Sequence, residues 1–420
     1  MTTLTNISYL HSRIKQNLET EIIVAGLGYV GNPLAKLLMK HYPRVSGVDP
    51  NPKRVEGVGV EAHIDYDYLR TTSVNVVIVC VPTPLSKTHE PDLSYIVSAT
   101  EDVAQYIIKR AGSPVLVVIE STTYPGTTEE LILPILQKVG VLGKDFFLAY
   151  SPERLDPGNE EWNIGNTPKI ISGVTEDCLT LVEALYEPVV PVVKVSSPKV
   201  AEMTKLLENT FRATNVALVN EIAIVCDKLE IDVWEVVKAA ATKPFGFMPF
   251  RPGPGLGGHC LPVDPQYLAW KLKTLNYNTR FIQTATEINS EMPAYWVSKV
   301  QDALNEKQRS IKSESILVLG VGYKPDTDDI RESPALDIIK LLQDKGAVVY
   351  YHDPLVKDLS PLLEMKSVAD SELNYDGIFG YGAVILATDH SVYFDQVPGI
   401  LDTLKYPPEH LCVVDTRGVL

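Results

Sequence analysis

The chain has 420 residues, 45% of them hydrophobic and 22% charged, which excludes a disordered, collagen-like or coiled-coil protein. A formal net charge of −15 disfavours a nucleic-acid-binding protein, and no apolar run approaches the about 18 residues that cross a bilayer. The five cysteines form no CxxC pair and the N-terminus has no apolar signal core. We therefore expect a cytoplasmic protein with reduced thiols, no metal site, and no membrane or nucleic-acid partner.

The first half of the chain alternates between strand-like and helical segments. After a short polar helix within the first 20 residues or so, apolar strand-like runs occur at 21–25, 45–48, 76–81, 115–119 and 146–149. Strands that alternate with helices are typical of a parallel sheet covered by helices on both faces.

A long helix is predicted over 200–229, where apolar residues recur at helical spacing. Ser197 is a suitable N-cap and Pro198 fits the first turn. Such a helix would be about 45 Å long at 1.5 Å per residue. We expect it to bridge two domains or to pack against a second copy of the chain, and its apolar residues on more than one face favour a homodimer.

Strand-like runs return at 316–320, 348–351, 383–387 and 412–414, and they indicate a second, smaller α/β unit. The predicted fold class is therefore α/β, with two Rossmann-like doubly wound parallel-sheet domains joined by a long central helix. We place the domains at 1–197, 198–300 and 301–420.

The first motif with a chemical meaning is the sequence GLGYVG at 26–31, between a predicted strand and a predicted helix. Its glycines permit a tight turn and the close approach of a pyrophosphate to the helix N-terminus. Asp49 ends the next predicted strand, where a carboxylate can accept hydrogen bonds from ribose hydroxyls and would repel a 2′-phosphate. The pattern predicts NAD rather than NADP, and the alternative is a glycine-rich turn without a ligand.

A second motif, GPGLGGHC at 253–260, ends in a cysteine, and Asp264 follows it. A thiol in such a loop can attack an aldehyde if its neighbours activate it, but a buried and inert cysteine is an equal alternative. We expect His259 to anchor the loop and the other four cysteines to be inert.

Lys205 and Asn209 lie four residues apart in the predicted long helix, so they share one face. A lysine and an amide that face a cleft can orient a hydroxyl and stabilise an oxyanion. Taken by themselves, they also fit a solvated helix face.

The segment 323–333, YKPDTDDIRES, follows the first strand of the second α/β unit. Ligands bind at that edge of a parallel sheet, and Lys324 and Arg331 can each pair with a phosphate. The alternative is a solvated charged loop.

Taken together, the chain resembles the UDP-sugar 6-dehydrogenase family, which comprises UDP-glucose and UDP-N-acetylhexosamine dehydrogenases. The resemblance extends from about residue 21 to 420 and rests on motifs in family order: GLGYVG, VPTP at 81–84, ESTTYPGTT at 120–128, SPER at 151–154, AEMTKLLENTFR at 201–212, GPGLGGHCLPVDP at 253–265 and YKPDTDDIRESPAL at 323–336.

This resemblance implies an N-terminal NAD-binding domain, a central helical dimerisation domain with the cysteine loop, and a C-terminal UDP-sugar-binding domain. The implied cofactor residues are Gly26, Gly28, Tyr29, Val30, Gly31, Asp49, Arg54, Thr83, Thr122 and Arg331. The implied catalytic residues are Cys260 as the nucleophile, with Lys205, Asn209, Glu153, Asp264 and Thr122. The implied substrate residues are Glu153, Arg154, Lys205, Asn209, Arg251, Gly253, Gly255, Gly257, Tyr323, Lys324 and Arg417.

Several details resemble the N-acetylhexosamine branch of the family. Arg154 follows the glutamate of the SPE motif, where the glucose branch has an apolar pair, and the cysteine loop reads GGHC with Val263 before Asp264. The segment 242–250 is similar to that of UDP-N-acetylglucosamine 6-dehydrogenases that feed surface polysaccharide synthesis.

The resemblance implies a four-electron oxidation of the C6 hydroxyl to a uronate, by way of a thiohemiacetal and a thioester on Cys260. The alternatives are a UDP-glucose 6-dehydrogenase, a two-electron hydroxyacid-type dehydrogenase, and a non-catalytic sugar-nucleotide sensor.

Overall fold

The computed structural model describes residues 6–16, 20–65, 74–86, 90–108, 114–156, 159, 161–258, 260–363, 365, 367–369, 373, 375–395 and 400–420. The chain divides into an N-terminal unit, Met1–Glu208 with Gln266–Tyr277, and a C-terminal unit, Asn209–Pro265 with Asn278–Leu420. The domain boundaries after 197 and 300 stay predictions. None of the described helices combines the length and apolar character that would let it span a membrane.

The N-terminal unit is built on a sheet of eight described strands. They are β1 (Glu21–Ala25), β2 (Arg44–Val48), β3 (Glu61–His63), β4 (Val76–Val79), β5 (Val115–Ile119), β6 (Phe146–Tyr150), β7 (Lys169–Gly173) and β8 (Val192–Lys194). Their order is β3-β2-β1-β4-β5-β6-β7-β8. The five predicted strands are confirmed, whereas β3, β7 and β8 were not predicted, because β3 and β8 have only three residues each and β7 begins with a lysine.

All neighbouring strands of this sheet are parallel except β6 and β7, which are antiparallel. No described helix separates these two strands in the chain, so the chain turns back without the crossover that a parallel pair requires. The helices of this unit are α1 (Asn6–Gln16), α2 (Gly31–Met39), α3 (Ser94–Ile108), α4 (Leu133–Gln137) and α5 (Glu176–Tyr186).

Alternate residues of the strands enter two separate apolar cores. In β1, Ile22 and Val24 pack into one core and Ile23 packs into the other. The sheet is therefore covered on both faces, as its nearly continuous apolar strands predict.

The long helix is confirmed as α6 (Pro198–Lys228), with 31 residues. The backbone N–H of Val200 donates to Ser197 Oγ at 3.4 Å, in agreement with the predicted N-cap. This helix begins in the N-terminal unit and ends in the C-terminal unit. It is followed by α7 (Val233–Ala240), α8 (Asp264–Lys273) and α9 (Arg280–Glu306).

The C-terminal unit contains a second, all-parallel sheet in the order β10-β9-β11-β12. Its strands are β9 (Ser315–Leu319), β10 (Val348–His352), β11 (Ala383–Leu386) and β12 (Cys412–Asp415). Its further helices are α10 (Pro334–Asp344), α11 (Ser360–Leu363), α12 (Tyr375–Ile378), α13 (Val392–Asp395) and α14 (Ile400–Lys405). The chain thus has an α/β fold with two Rossmann-like domains and a long central helix. The carboxyl ends of the parallel strands, where such folds bind ligands, define the regions of interest in each unit.

Candidate active site

The glycine motif of the N-terminal unit forms the turn between β1 and α2. Gly26 has a φ of 92°, and a Cβ there would lie 2.7 Å from the Cys80 carbonyl oxygen. A Cβ on Gly31 would lie 1.8 Å from the Gly26 carbonyl oxygen. A Cβ on Gly28 would have only the Arg54 guanidinium near it, at 3.7 Å. The two outer glycines therefore let the turn pack, and the middle one leaves room for a ligand.

Asp49 is buried beside this turn. Its Oδ2 accepts the Leu27 N–H at 2.9 Å and its Oδ1 accepts the Asn51 N–H at 2.9 Å. Arg54 lies 3.6 Å from Oδ2. Each carboxylate oxygen has a further lone pair with which to accept a ribose hydroxyl. The turn, the helix N-terminus and Asp49 thus fit the pyrophosphate and ribose of NAD. Tyr29 is more than half exposed and Val30 is half-buried on the same turn.

Thr83 and Thr122 follow β4 and β5, at the carboxyl edge of the sheet. Thr83 is buried, and its carbonyl accepts the Tyr267 hydroxyl at 2.9 Å. Thr122 is half-buried between two fixed neighbours: Ser121 Oγ donates to the Val81 carbonyl at 2.8 Å, and Thr123 Oγ1 donates to Glu202 at 3.3 Å. Thr122 thus lies between one residue held by the edge of the sheet and one held by α6.

Glu202 holds the rest of the Thr122 loop against α6. Its carboxylate accepts the Gly126 N–H at 2.5 Å, and the N–H and hydroxyl of Thr128 at 2.9 and 2.7 Å. Burial raises the pKa of Glu202 to about 7, although these donors favour the ionised form. Glu202 lies three residues before Lys205, so one carboxylate ties the Thr122 loop to the helix that carries this lysine.

Glu153 is buried after β6. One of its oxygens lies 3.1 Å from Lys169 Nζ, and the other accepts the Arg154 N–H at 2.8 Å. Lys205 is also buried and interacts electrostatically with Glu153. The structure thus brings together two of the predicted catalytic residues, Glu153 and Lys205, in the N-terminal unit.

Arg154 is held by two other groups of the same unit. Its guanidinium makes a two-point contact with Glu208, at 3.1 Å from Nε and 2.6 Å from the second nitrogen, and its remaining nitrogen donates to the Pro168 carbonyl at 2.8 Å. Arg154 is therefore fixed by three contacts with protein groups.

In the C-terminal unit, Asn209, Cys260 and Asp264 lie together. Asn209 Nδ2 donates to Asp264 Oδ2 at 2.5 Å, and the Cys260 carbonyl accepts the Asp264 N–H at 2.8 Å. Asp264 is buried at the first residue of α8, and Cys260 precedes this helix by one turn. All five cysteines lie among the described residues, and Cys260 is partly exposed whereas the others are buried. His259 lies outside the described residues.

The glycine-rich loop before Cys260 is anchored by buried polar side chains. The Gly253 N–H donates to Asn220 Oδ1 at 2.9 Å, and Trp296 Nε1 donates to the Gly253 carbonyl at 3.0 Å. Asn289 accepts from Asn220 at 2.9 Å. Arg251 is exposed at the start of the loop.

The second half of this loop packs on Tyr323. A Cβ on Gly257 would lie 2.6 Å from Tyr323 Cβ, and a Cβ on Gly258 would lie 2.8 Å from its ring. The Gly258 N–H donates to the Arg331 carbonyl at 2.9 Å. Only glycines allow this close contact between the cysteine loop and the predicted sugar-nucleotide loop.

A cleft lies beside these loops. It is lined by Pro254, Gly255, Gly322, Tyr323, Pro325, Ser333, Pro334, Ala335, Ala387, Thr388 and Arg417. Arg417 donates to Asp389 at 2.8 Å, and a Cβ on Gly253 would lie 3.1 Å from its guanidinium. The cleft thus gathers Gly255, Tyr323 and Arg417 of the predicted substrate set, and Gly253 lies against Arg417.

Lys324 and Arg331 lie in the loop after β9. Both are partly to well exposed, and Arg331 pairs with Asp329 at 2.6 Å. Beneath this loop, His390 accepts the Asp326 N–H at 3.0 Å and contacts the buried Asp353 at 3.0 Å. Burial would raise the pKa of Asp353, but His390 and several N–H groups lower it to about 2.

Three family models match the chain, all from the UDP-glucose/GDP-mannose dehydrogenase family. The NAD binding domain matches residues 20–190, the central domain matches 199–291 and the UDP binding domain matches 317–420. The chain belongs to this family.

Individual proteins give the same result. A UDP-N-acetyl-D-glucosamine 6-dehydrogenase of Pseudomonas aeruginosa is 36% identical over 89% of this chain and 92% of its own length. A UDP-N-acetyl-D-mannosamine dehydrogenase of Methanococcus maripaludis is 33% identical over 95% of this chain and 93% of its own. The structure of a UDP-D-ManNAc dehydrogenase from Pyrococcus horikoshii superposes with a TM-score of 0.82 at 31% identity, covering 96% of each chain. The chain is thus an oxidoreductase with NAD as its cofactor.

Some residues that shape these sites were not predicted from the sequence. They are Glu120, Lys169, Tyr186, Glu202, Asn220, Asn289, Asp353 and His390. Glu120 and Glu202 lie inside two of the family motifs, which is a signal that could have found them. Lys169 and His390 lie outside those motifs, and only the fold reveals their partners.

Proposed function

We propose that the protein oxidises the C6 hydroxyl of a UDP-N-acetylhexosamine, UDP-GlcNAc in the first instance, to the UDP-uronate with two equivalents of NAD. The observation that carries the proposal is the partly exposed Cys260 at the end of the glycine-rich loop, with Asn209 and Asp264 beside it. The names of the relatives and the Arg154 that follows the SPE motif support an N-acetylhexosamine.

The cysteine explains how one enzyme can remove four electrons. The first oxidation turns the C6 alcohol into an aldehyde, which has no acyl leaving group. The Cys260 thiolate adds to the aldehyde carbon and forms a thiohemiacetal, whose carbon can again lose hydride to give a thioester. Water then adds, the carbon–sulfur bond breaks, and the uronate leaves.

The neighbouring residues have roles that their chemistry suits. Lys205 and Asn209 surround the C6 oxygen and stabilise the oxyanion of the adduct. Asp264 takes part in proton transfer, and Glu153 holds the hydrolytic water. Thr122 lies along both cofactor and reacting sugar.

Bound NAD supplies the hydride acceptor for each oxidation. Gly26, Gly28 and Gly31, with Tyr29 and Val30, would hold its pyrophosphate at the start of α2. Asp49 and Arg54 would hold the adenosine side, and Thr83 and Arg331 would make further contacts with the cofactor.

The sugar nucleotide would bind through the C-terminal unit. The cleft beside Tyr323 and Arg417 supports this assignment, because its lining carries a cation, an aromatic ring and close-packed backbone. Lys324 and Arg154 would add positive charge, and the loop with Arg251, Gly253, Gly255 and Gly257 would contact the sugar.

Two measurements test the proposal. The first assays UDP-GlcNAc, UDP-GalNAc, UDP-ManNAc and UDP-glucose side by side, and a preference for UDP-glucose would refute the N-acetylhexosamine assignment. The second counts NADH formed per sugar nucleotide consumed. Two NADH per sugar nucleotide support the proposal, one NADH indicates a two-electron dehydrogenase, and no NADH indicates a binding protein.

We also propose a homodimer that works in the cytoplasm and supplies uronates for surface polysaccharides. Exposed apolar side chains follow one stripe of α6 in the C-terminal unit, namely Phe211, Leu218 and Val225, and the exposed Leu229 comes directly after the helix. An exposed stripe of this kind supports burial against a second copy.

A further inference from the structure

A buried cluster of charged residues lies at the carboxyl edge of the N-terminal sheet. Lys169 Nζ lies 3.0 Å from a Glu120 oxygen and 3.1 Å from a Glu153 oxygen. All three side chains are less than a tenth exposed. The three residues come from three different strands, since Glu120 follows β5, Glu153 follows β6 and Lys169 begins β7.

The far side of the cluster is closed by Tyr186, at the end of α5. Its hydroxyl donates to the second Glu120 oxygen, and its ring lies 5.2 Å from Lys169 Nζ. Glu120 is thus bound on both oxygens, and Lys169 is held between two carboxylates and an aromatic face.

We propose that Lys169 is a positioning residue for Glu153, which it keeps ionised and fixed for the hydrolytic water, while Glu120 and Tyr186 hold Lys169 in place. This inference rests on the proposed role of Glu153 in releasing the uronate. In that step, water adds to the thioester carbon, its proton passes to the Glu153 carboxylate, and Cys260 leaves as the thiolate.

The groups around Glu153 favour its ionised form. Burial alone would raise the pKa of Glu153, but Lys169, the Arg154 N–H and Lys205 lower it below its usual value. Burial raises the pKa of Glu120, despite the same lysine. The remaining titratable neighbours, Cys80 and Tyr186, have pKa values raised first by burial, so they stay neutral.

The antiparallel β7 is what makes this arrangement possible. Because it runs opposite to β6, its first residue lies at the same edge of the sheet as the carboxyl ends of β5 and β6. A parallel strand in that place would bring its last residue to this edge, and Lys169 would lie at the opposite one.

The test compares Lys169→Met with Lys169→Arg by rapid quench with UDP-GlcNAc and NAD. NADH formation and uronate release are followed separately between pH 3.5 and 9. Without the lysine, the buried Glu153 takes up a proton more readily. We expect the acidic limb of the pH–rate profile for uronate release to move to higher pH by about one unit or more. NADH formation should keep its pH profile, and Lys169→Arg should restore the limb.

Two further variants keep the inference falsifiable if Lys169→Met folds poorly. Glu120→Gln removes the competing carboxylate and leaves the pair of Lys169 and Glu153. We expect its acidic limb at or below that of the unmodified protein. Thr100→Val, which removes a buried hydrogen bond within α3, controls for a general loss of stability.

The outcomes distinguish a failure of the proposed function from a failure of the proposed role of Lys169. If the unmodified protein forms no NADH with any UDP-sugar, the proposed function fails. If it does, but Lys169→Met slows uronate release equally at every pH, the lysine only packs and the inference is overturned. An upward shift of the limb in Glu120→Gln would also overturn it.

Discussion

Asn209 donates its amide hydrogen to the buried carboxylate of Asp264 at 2.5 Å, and this bond joins α6 to the start of α8. The same carboxylate lies one helical turn after Cys260, whose carbonyl accepts the Asp264 N–H. The bond therefore holds the Asn209 amide against a carboxylate whose residue begins α8, one helical turn after Cys260.

Asp264→Asn tests the role of that carboxylate. The variant keeps the size of the side chain but removes its charge and its capacity to take up a proton. We expect the rate of uronate formation to fall by about 100-fold or more, as for the loss of a general acid or base. Steady-state assays would measure it, with NAD binding and the melting temperature as controls for folding. A loss of less than about tenfold would argue for an anchoring role alone.

Asp49→Ala tests the cofactor preference. Asp49 accepts the Leu27 and Asn51 N–H groups and is the carboxylate expected to meet the ribose hydroxyls. We expect NAD to bind about tenfold more weakly, a change of about 1.4 kcal/mol in binding free energy. The difference in affinity between NAD and NADP should become smaller. Calorimetric titration with both cofactors would measure this. Asp145→Asn, which alters a loop acid of the same unit, is a suitable control. Equal use of both cofactors by the unmodified protein would contradict this role.

Glu202→Gln tests the tie between the Thr122 loop and α6. The pKa of Glu202 is about 7 in the folded protein, above the ordinary 4.5. The folded state therefore retains a proton that the unfolded state has lost, and this residue makes stability fall as the pH rises from about 4.5 to about 7. Glu202→Gln should flatten that fall. Urea unfolding at several pH values would measure it, and an unchanged slope would contradict the assignment.

Leu218→Glu tests the proposed dimer. Leu218 is 54% exposed in the middle of the apolar stripe on α6, so a charge there would have to be buried in a two-fold contact. We expect light scattering at micromolar concentration to report a monomer, whereas Glu306→Lys, at the end of α9, should leave the dimer intact. A fully active monomer of the unmodified protein would refute the proposal.

The sequence allowed the fold to be predicted where patterns were long and local. The strands β1, β4, β5 and β6 are nearly continuous apolar runs, and the N-cap and apolar spacing of α6 are explicit in the sequence. The direction of β7 was not predictable, because it depends on the absence of a crossover helix, and a pattern of side chains does not specify it.

The residues of the candidate site likewise divide into those that local sequence patterns predict and those that they do not. The glycine motifs, Cys260 and Asp264 could be identified from the sequence because the spacing within each motif is local. The partners of Lys169 could not be identified, since Glu120 lies 49 residues away in the chain and the pairing forms only when three strands meet. Likewise, the motif that contains Glu202 does not show that its carboxylate binds the Thr122 loop.

We propose above all that Cys260 forms the covalent adduct needed for the second oxidation. The most direct measurement is the rate of uronate formation by Cys260→Ser, with Cys412→Ser, a buried cysteine of the same unit, as the matched control. Serine is a much weaker nucleophile at neutral pH. Cys260→Ser should bind UDP-sugar and NAD normally but form little uronate, whereas Cys412→Ser should lose some stability and keep its turnover. Uronate formation by Cys260→Ser at more than about a tenth of the unmodified rate, about 1.4 kcal/mol in the barrier, would remove Cys260 from the mechanism.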